Sequence, residues 1–208
     1  MNSYKMFTWL YDPVLYIFIH IIRKKVADIV NNYQPNSVID ICCGTGNQLK
    51  YLKKQGFNNV IGIDLSQSMI HQANKGDKKI HCEEQDAAKL HFHNNSFDFG
   101  IISLALHEKP FETAREIIAE AKRVINPDGH LLVVDYNFTG NVKFLSKVMI
   151  YAIERFAGKS HYKYFKNYLE MGGMDELLKN HQLKEEYIFH GGGTSIKVYE
   201  ISKFDYYV

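Results

Sequence analysis

Along this chain, short β-branched runs alternate with longer stretches whose apolar residues recur every three or four positions. Val14, Ile17 and Ile21 form one such stripe, the spacing of a single helix face. Asp12 followed by Pro13 reads as an N-cap and a first-turn proline, so the first helix is expected to begin there and run to about Asn31. Residues 37–41 read as a short buried strand, Gly44-Thr45-Gly46 as a turn, and residues 47–55 as a helix. Residues 59–63 form a second strand ending at Asp64. Ser66 caps a helix carrying Met69 and Ile70 and stopping near Gly76. Third and fourth strands are expected over 79–84 and 97–103, and Pro110 opens a helix to about Ile125. Asn126-Pro127-Asp128-Gly129 is a strong turn signal, placed before a strand over 130–136.

Strands separated by helices of this length imply βαβ units, right-handed crossovers and a parallel sheet. The C-terminal part departs from that rhythm. Residues 142–156 and 162–180 read as helices, and strands over 184–190 and 195–202 flank Gly191-Gly192-Gly193. A hairpin-type connection makes these two strands antiparallel to each other. The expected fold is therefore α/β, a doubly wound sheet of seven strands. It is mostly parallel with an antiparallel C-terminal edge, and has helices on both faces. One domain is expected, with a helical lid over 1–34, a core over 35–140, a helical cap inserted over 141–182, and terminal strands over 183–208.

Composition removes several function classes. The 208 residues are 46% apolar and 23% charged, close to globular averages. The net charge is +2, with basic residues scattered, so no nucleic-acid partner is expected. Three cysteines, two of them adjacent (Cys42, Cys43, Cys82), make no disulfide framework. The start of the chain lacks the pattern of a secretory signal. The greasiest run, residues 14–22, is far shorter than the roughly 20 residues of a membrane span. These features point to a cytoplasmic protein.

The chemistry concentrates in Val38-Ile39-Asp40-Ile41-Cys42-Cys43-Gly44-Thr45-Gly46-Asn47. Glycines at 44 and 46 allow close backbone approach to a ligand, and the helix start offers free N–H groups. A dinucleotide site wants a third glycine where this chain has Leu49, which disfavours the alternative of an NAD-type oxidoreductase. Asp40, at the strand end, suits a ligand with a cationic amino group. Asp64 lies 24 residues on, at the end of the second strand, placed to accept from two ribose hydroxyls. Asp86, just past the third strand, is in register to accept from an adenine amino group.

In these segments the chain resembles class I S-adenosylmethionine-dependent methyltransferases, of the small-molecule type similar to the ubiquinone/menaquinone-biosynthesis enzymes. Residues 62–70, 85–90, 97–110 and 123–135 carry the rest of the resemblance, the last with Asn126-Pro127-Asp128-Gly129 before its strand. The resemblance implies a Rossmann-like fold and S-adenosyl-L-methionine as cofactor, leaving as S-adenosyl-L-homocysteine. It implies that Asp40, Gly44 and Gly46 hold the methionine moiety and that Asp64 binds the ribose. Leu65 and Met69 would pack on the adenine, Asp86 and Ala87 would meet its edge, and Leu104 would lie beside the sulfonium.

His107, following the fourth strand, is the candidate catalytic base, since imidazole titrates near neutrality. Tyr11 is a candidate substrate-binding residue on the lid. His91 and His93 have no third ligand at sensible spacing, and no metal is expected. The cysteines read as small buried groups. The acceptor is expected to be a small, apolar or aromatic molecule, because the lid and cap are rich in rings such as Phe144, Tyr151, Tyr162 and Phe165. A catalytically silent cofactor-binding protein is the other alternative.

Overall fold

The computed structural model describes residues 4–76, 80–139, 142–189 and 192–201, with side chains in the first helix described from Ile17 onward. The helices α1 (Tyr4–Tyr33), α2 (Asn47–Lys54), α3 (Gln67–Gly76) and α4 (Phe111–Val124) alternate with strands β1 (Val38–Ile41), β2 (Val60–Asp64), β3 (His81–Glu84), β4 (Phe97–Ser103) and β5 (Ile125–Tyr136). Three further helices follow, α5 (Phe144–Ala157), α6 (Lys159–Glu170) and α7 (Gly173–Leu177), before β6 (Gln182–Phe189) and β7 (Thr194–Glu200). The seven strands form one sheet in the order β3-β2-β1-β4-β5-β7-β6. β1 pairs in parallel with both β2 and β4. The chain order therefore reverses between β1 and β4, and ligands of open α/β sheets bind at such a point.

The central strands are buried on both faces, as near-continuous apolar runs require. Ile39, Ile41, Ile102 and Val133 face α4 and α7, joining Ile117 and Leu178. Val38, Ile101, Leu132 and Val134 face α1, α2 and α3, joining Val26, Leu49 and Ala73. Asp40 is 2% exposed in the middle of this sheet.

Three expectations need correction. α1 begins at Tyr4 and continues through Asp12-Pro13 rather than starting there. The spacing of Phe7 and Leu10 extends the Val14–Ile17–Ile21 stripe backward, and that periodicity outweighs the cap signal. Residues 126–129 are not a free turn but part of β5, bulged so that Phe97 pairs with Ile125 and Phe99 with His130. Asp128 takes a positive φ of 71° there. Its N–H donates to Ile201 O, and Ile201 N–H donates to Gly129 O, so long-range partners hold the bulge.

The helix expected over 162–180 is two helices. It breaks at Gly172 and Gly173, whose φ values are 94° and 58°, a conformation that glycine adopts without steric cost. The C-terminal edge of the sheet is antiparallel, as expected. β7 lies antiparallel between β5 and β6, so edge strand β6 runs in the same direction as β5. Ser202, at the end of the second terminal strand as expected from sequence, lies outside the described residues, as do Lys79, His190 and Gly191 of neighbouring segments.

Candidate active site

The sheet order places the C-terminal ends of β3, β2, β1 and β4 side by side. Asp86, Asp64, the Gly44–Gly46 loop and Leu104 follow those four ends in turn. Residues as far apart in the chain as Gly44 and Leu104, 60 positions, thereby share one edge of the sheet, as their individual spacing suggests.

The two glycines do different work. A Cβ at Gly44, where φ is 54°, would meet nothing within 4 Å, so this backbone faces open space. A Cβ at Gly46 would lie 2.8 Å from Ile80 Cδ1 and 3.2 Å from Ala73 Cβ. Gly46 therefore lets α2 close onto β3 and α3, and only Gly44 keeps a ligand's approach clear. Cys42 also has a positive φ, 63°, unusual for a residue with a Cβ and a mark of a loop shaped for function. Burial pushes its thiol up to about 12, so it is inert as a nucleophile.

Leu49 explains the missing third glycine. It is fully buried, and a Cβ at Gly62 of β2 would lie 2.7 Å from its Cδ1. The space that a dinucleotide fingerprint clears on the helix is cleared here on the neighbouring strand instead.

Asp64 ties the loops together. Its Oδ2 accepts from Gly44 N–H at 2.8 Å, and its Oδ1 accepts from Ser66 N–H at 2.9 Å. A carboxylate can accept about four hydrogen bonds, so both oxygens retain capacity. Asp40 is held differently. Burial raises its carboxyl to about 7, the nearby Arg23 pulling down and Asp64 pushing up. A buried carboxyl so disposed favours a cationic partner. Asp86 is exposed and accepts from Ala88 N–H at 2.9 Å. Ala87 is buried, Leu65 is exposed, and Met69 is half-buried. Leu104 has φ 53° and donates its N–H to Val134 O, turning the chain sharply off the sheet.

Beyond Leu104 lies a second group that sequence reasoning caught only in part. His107 is 4% exposed, and its Nδ1 lies 2.6 Å from Asp135 Oδ1. Asp135, fully buried, also accepts from the N–H groups of Leu106, His107 and Tyr136. On the other side of the ring, His107 Nε2 is 3.6 Å from Glu154 Oε1, beyond hydrogen-bonding range. Glu154 accepts from Tyr136 Oη at 2.8 Å, and its Oε2 lies 2.6 Å from His161 Nε2.

Burial alone would lower the His107 pKa, but the charge and hydrogen bond of Asp135, with Glu154 behind, raise it above its usual value. Burial pushes Glu154 up, and His161, His107 and Tyr136 together draw it below the usual carboxylate range. The ligand atoms of His107, Glu154 and His161 all lie within 4.8 Å of one another, the one such cluster among the described residues. Glu154 sits between the two rings, 3.6 Å from His107 Nε2 and 2.6 Å from His161 Nε2.

Asp135 had a visible signal, an acid closing the fifth strand. Glu154 and His161 had none, because they belong to two cap helices and meet His107 only across the fold. The cap rings Tyr151, Tyr162 and Phe165 pack with Phe138 and Tyr136 beside His107. Phe144 and Phe156 instead point outward. The side chain of Tyr11 lies outside those described, and His91 and His93 are exposed.

Residues 38–129 match the family described as a methyltransferase domain. A demethylmenaquinone methyltransferase of Thermotoga maritima is 26% identical over 171 residues, covering 76% of this chain and 74% of that protein. One from Lactobacillus johnsonii is 30% identical over 159 residues, 73% of this chain and 60% of its own length. Among solved structures, a Pyrococcus horikoshii protein superposes with a TM-score of 0.69 at 19% identity, over 96% of this chain and 99% of that one. A Methanosarcina mazei S-adenosylmethionine-dependent methyltransferase gives 0.62 at 19% identity, over 84% and 97%. These likenesses carry the fold. The oxidoreductase alternative finds no counterpart among them.

Proposed function

We propose that this chain is a class I S-adenosylmethionine-dependent methyltransferase similar to the enzymes of menaquinone biosynthesis, and that it methylates a small apolar or aromatic acceptor beneath its helical cap. The observation that carries the reading is the common edge formed by Asp40, Gly44, Asp64 and Asp86 at the three adjoining ends of β1, β2 and β3. The residues fit the cofactor. The open side of Gly44 leaves room for its backbone approach, and the buried Asp40 carboxyl suits an ammonium. No helix among the described residues is long and apolar enough to cross a membrane, and we assign the protein to the cytoplasm.

When bound, S-adenosylmethionine supplies a methyl group on a sulfonium, an activated leaving group. Much of the rate then comes from alignment. In our reading Asp40 binds the amino group of the methionine moiety, with Gly44 and Gly46 shaping the loop around it. The two oxygens of Asp64 accept the ribose hydroxyls. Leu65 and Met69 pack on the adenine, while Asp86 and Ala87 meet its edge. Leu104 holds the turn beside the reacting centre.

His107 is the proton acceptor of this scheme. Asp135 fixes its Nδ1, so Nε2 takes the proton of a hydroxyl or carbon acid. The cap, residues 141–182, and the N-terminal lid with Tyr11 exclude water and select the acceptor. The aromatic cluster of Phe138, Tyr151, Tyr162 and Phe165 supports an apolar acceptor.

Titration calorimetry with S-adenosylmethionine, S-adenosylhomocysteine and NADH tests the premise. Saturable binding of the sulfur ligands alone is expected, weakened roughly a hundredfold in Asp64→Ala by loss of charge-assisted hydrogen bonds. Binding of NADH in their place would overturn it. Binding without turnover across a broad panel of acceptors would leave the silent-protein alternative. With an acceptor in hand, the rate is expected to rise with pH through a value above the ordinary histidine pKa of about 6.5. The base must lose its proton, and Asp135 holds that proton on. His107→Ala removes this rise. An unchanged profile in that variant would discard His107 as the base.

A further inference from the structure

We propose that the outer face of α5 docks the protein on an anionic lipid bilayer. α5 has a buried side toward the protein and an apolar side toward solvent. Ile150 and the hydrogen-bonded Glu154 face the protein. Phe144, Leu145, Val148, Met149 and Phe156 face outward, with Phe144 82% and Leu145 69% exposed. At 100° per residue these five fall on one side of the helix, opposite Ile150 and Glu154. Isolated exposed apolar residues are ordinary, but a helix-long stripe of them marks an interaction surface.

The charge around the stripe selects the occupant. Residues 142–166 contain six basic residues and a single acid, Glu154, and that acid is buried in the His107 cluster. Lys143 is exposed at the N-cap of α5 and Arg155 on the helix itself, and Lys159 and Lys163 are exposed at the start of α6. A second copy of the chain packed on the same face would set Lys143 and Arg155 against their own equivalents or against other cations of the cap, with no exposed acid within this segment to answer them. An anionic membrane surface answers all of them at once. Each nearby Lys or Arg strengthens attraction to such a surface, and the apolar side chains enter the headgroup boundary. No described helix can span a bilayer, so α5 lies in the interface plane. The acceptor site under the same cap would then open where an apolar acceptor partitions. Membrane docking itself stands apart from the methyl-transfer reading and is measured without turnover.

Sedimentation of the full chain with phosphatidylcholine vesicles, with and without phosphatidylglycerol, provides the test. Binding to the anionic vesicles is expected to exceed binding to the neutral ones by roughly tenfold or more and to fall steeply with salt. The doubles Leu145→Asp/Met149→Asp and Lys143→Glu/Arg155→Glu, checked by unchanged thermal transitions, should each lose about tenfold. Absent binding, equal binding to both vesicles, or full binding by either double overturns the proposal. So does a dimer in sedimentation equilibrium that Leu145→Asp/Met149→Asp dissociates, since that would give the face to a second copy. Binding of an acidic protein in preference to the vesicles would give it to that class of partner instead.

Discussion

The two halves of the candidate site are built by opposite means. The cofactor edge comes from loops that leave neighbouring parallel strands, and much of its hardware is backbone. Gly44 presents open space and Asp64 clamps the loop through main-chain N–H groups. The His107 cluster is built from side chains that no stretch of sequence brings together. Asp135 comes from β5, Glu154 from α5 and His161 from α6, and all meet in a nearly dry interior. A backbone site tolerates much change nearby but depends on a few special φ values. A side-chain cluster depends on every member, because removing one leaves a buried charge unpaired.

That contrast can be broken most sharply at Asp135. Asp135→Ala leaves three backbone N–H donors and a buried imidazole without their carboxylate. A loss of about 3–5 kcal/mol is expected, lowering the thermal midpoint by roughly 10 °C. S-adenosylhomocysteine should still bind well below the melt, since the cofactor edge does not use Asp135. A variant that melts normally, or loses the ligand while folded, would show that the two halves are not separable.

The next test divides the glycines. Gly46→Ala meets Ile80 and Ala73 as well as an unfavourable φ, and should cost about 2–3 kcal/mol of stability in chemical denaturation. Gly44→Ala meets only the φ cost of about 1 kcal/mol but narrows the open side. Its cofactor affinity should fall further than its stability. The reverse ranking would mean that the roles are exchanged.

The smallest effect concerns pH at Asp40. Its folded pKa, about 7 against an ordinary 3.8, penalises the ionised form. Its contribution to stability is therefore present below about 4 and lost as pH rises through 7. A cationic ligand partner needs the ionised form, so cofactor affinity should rise from pH 6 to pH 8, by up to about tenfold. Asp40→Asn should flatten that slope and raise the melting temperature of the ligand-free protein by a few degrees at pH 8. A slope that persists in the variant would assign the proton to another group.

What was legible in the sequence follows the same division. The strand over 97–103 and the helix opened by Pro110 stand where the pattern placed them, because buried strands and capped helices announce themselves locally. Asp40, the glycine turn, Asp64 and Asp86 were legible too, since each follows a strand end at readable spacing. Illegible were features whose partners are remote. The 126–129 segment reads as a turn until Ile201 supplies its hydrogen bonds. The packing role of Gly46 is invisible until Ile80 arrives beneath it.

The sequence alone determined the alternation of strands and helices, the parallel core and the row of acids at its strand ends, because local periodicity and spacing carry that information. Tertiary structure decided which glycine faces open space, which groups surround His107, and which apolar side of α5 stays in solvent. Those outcomes depend on contacts between residues tens of positions apart, and only packing chooses among the arrangements the local pattern allows.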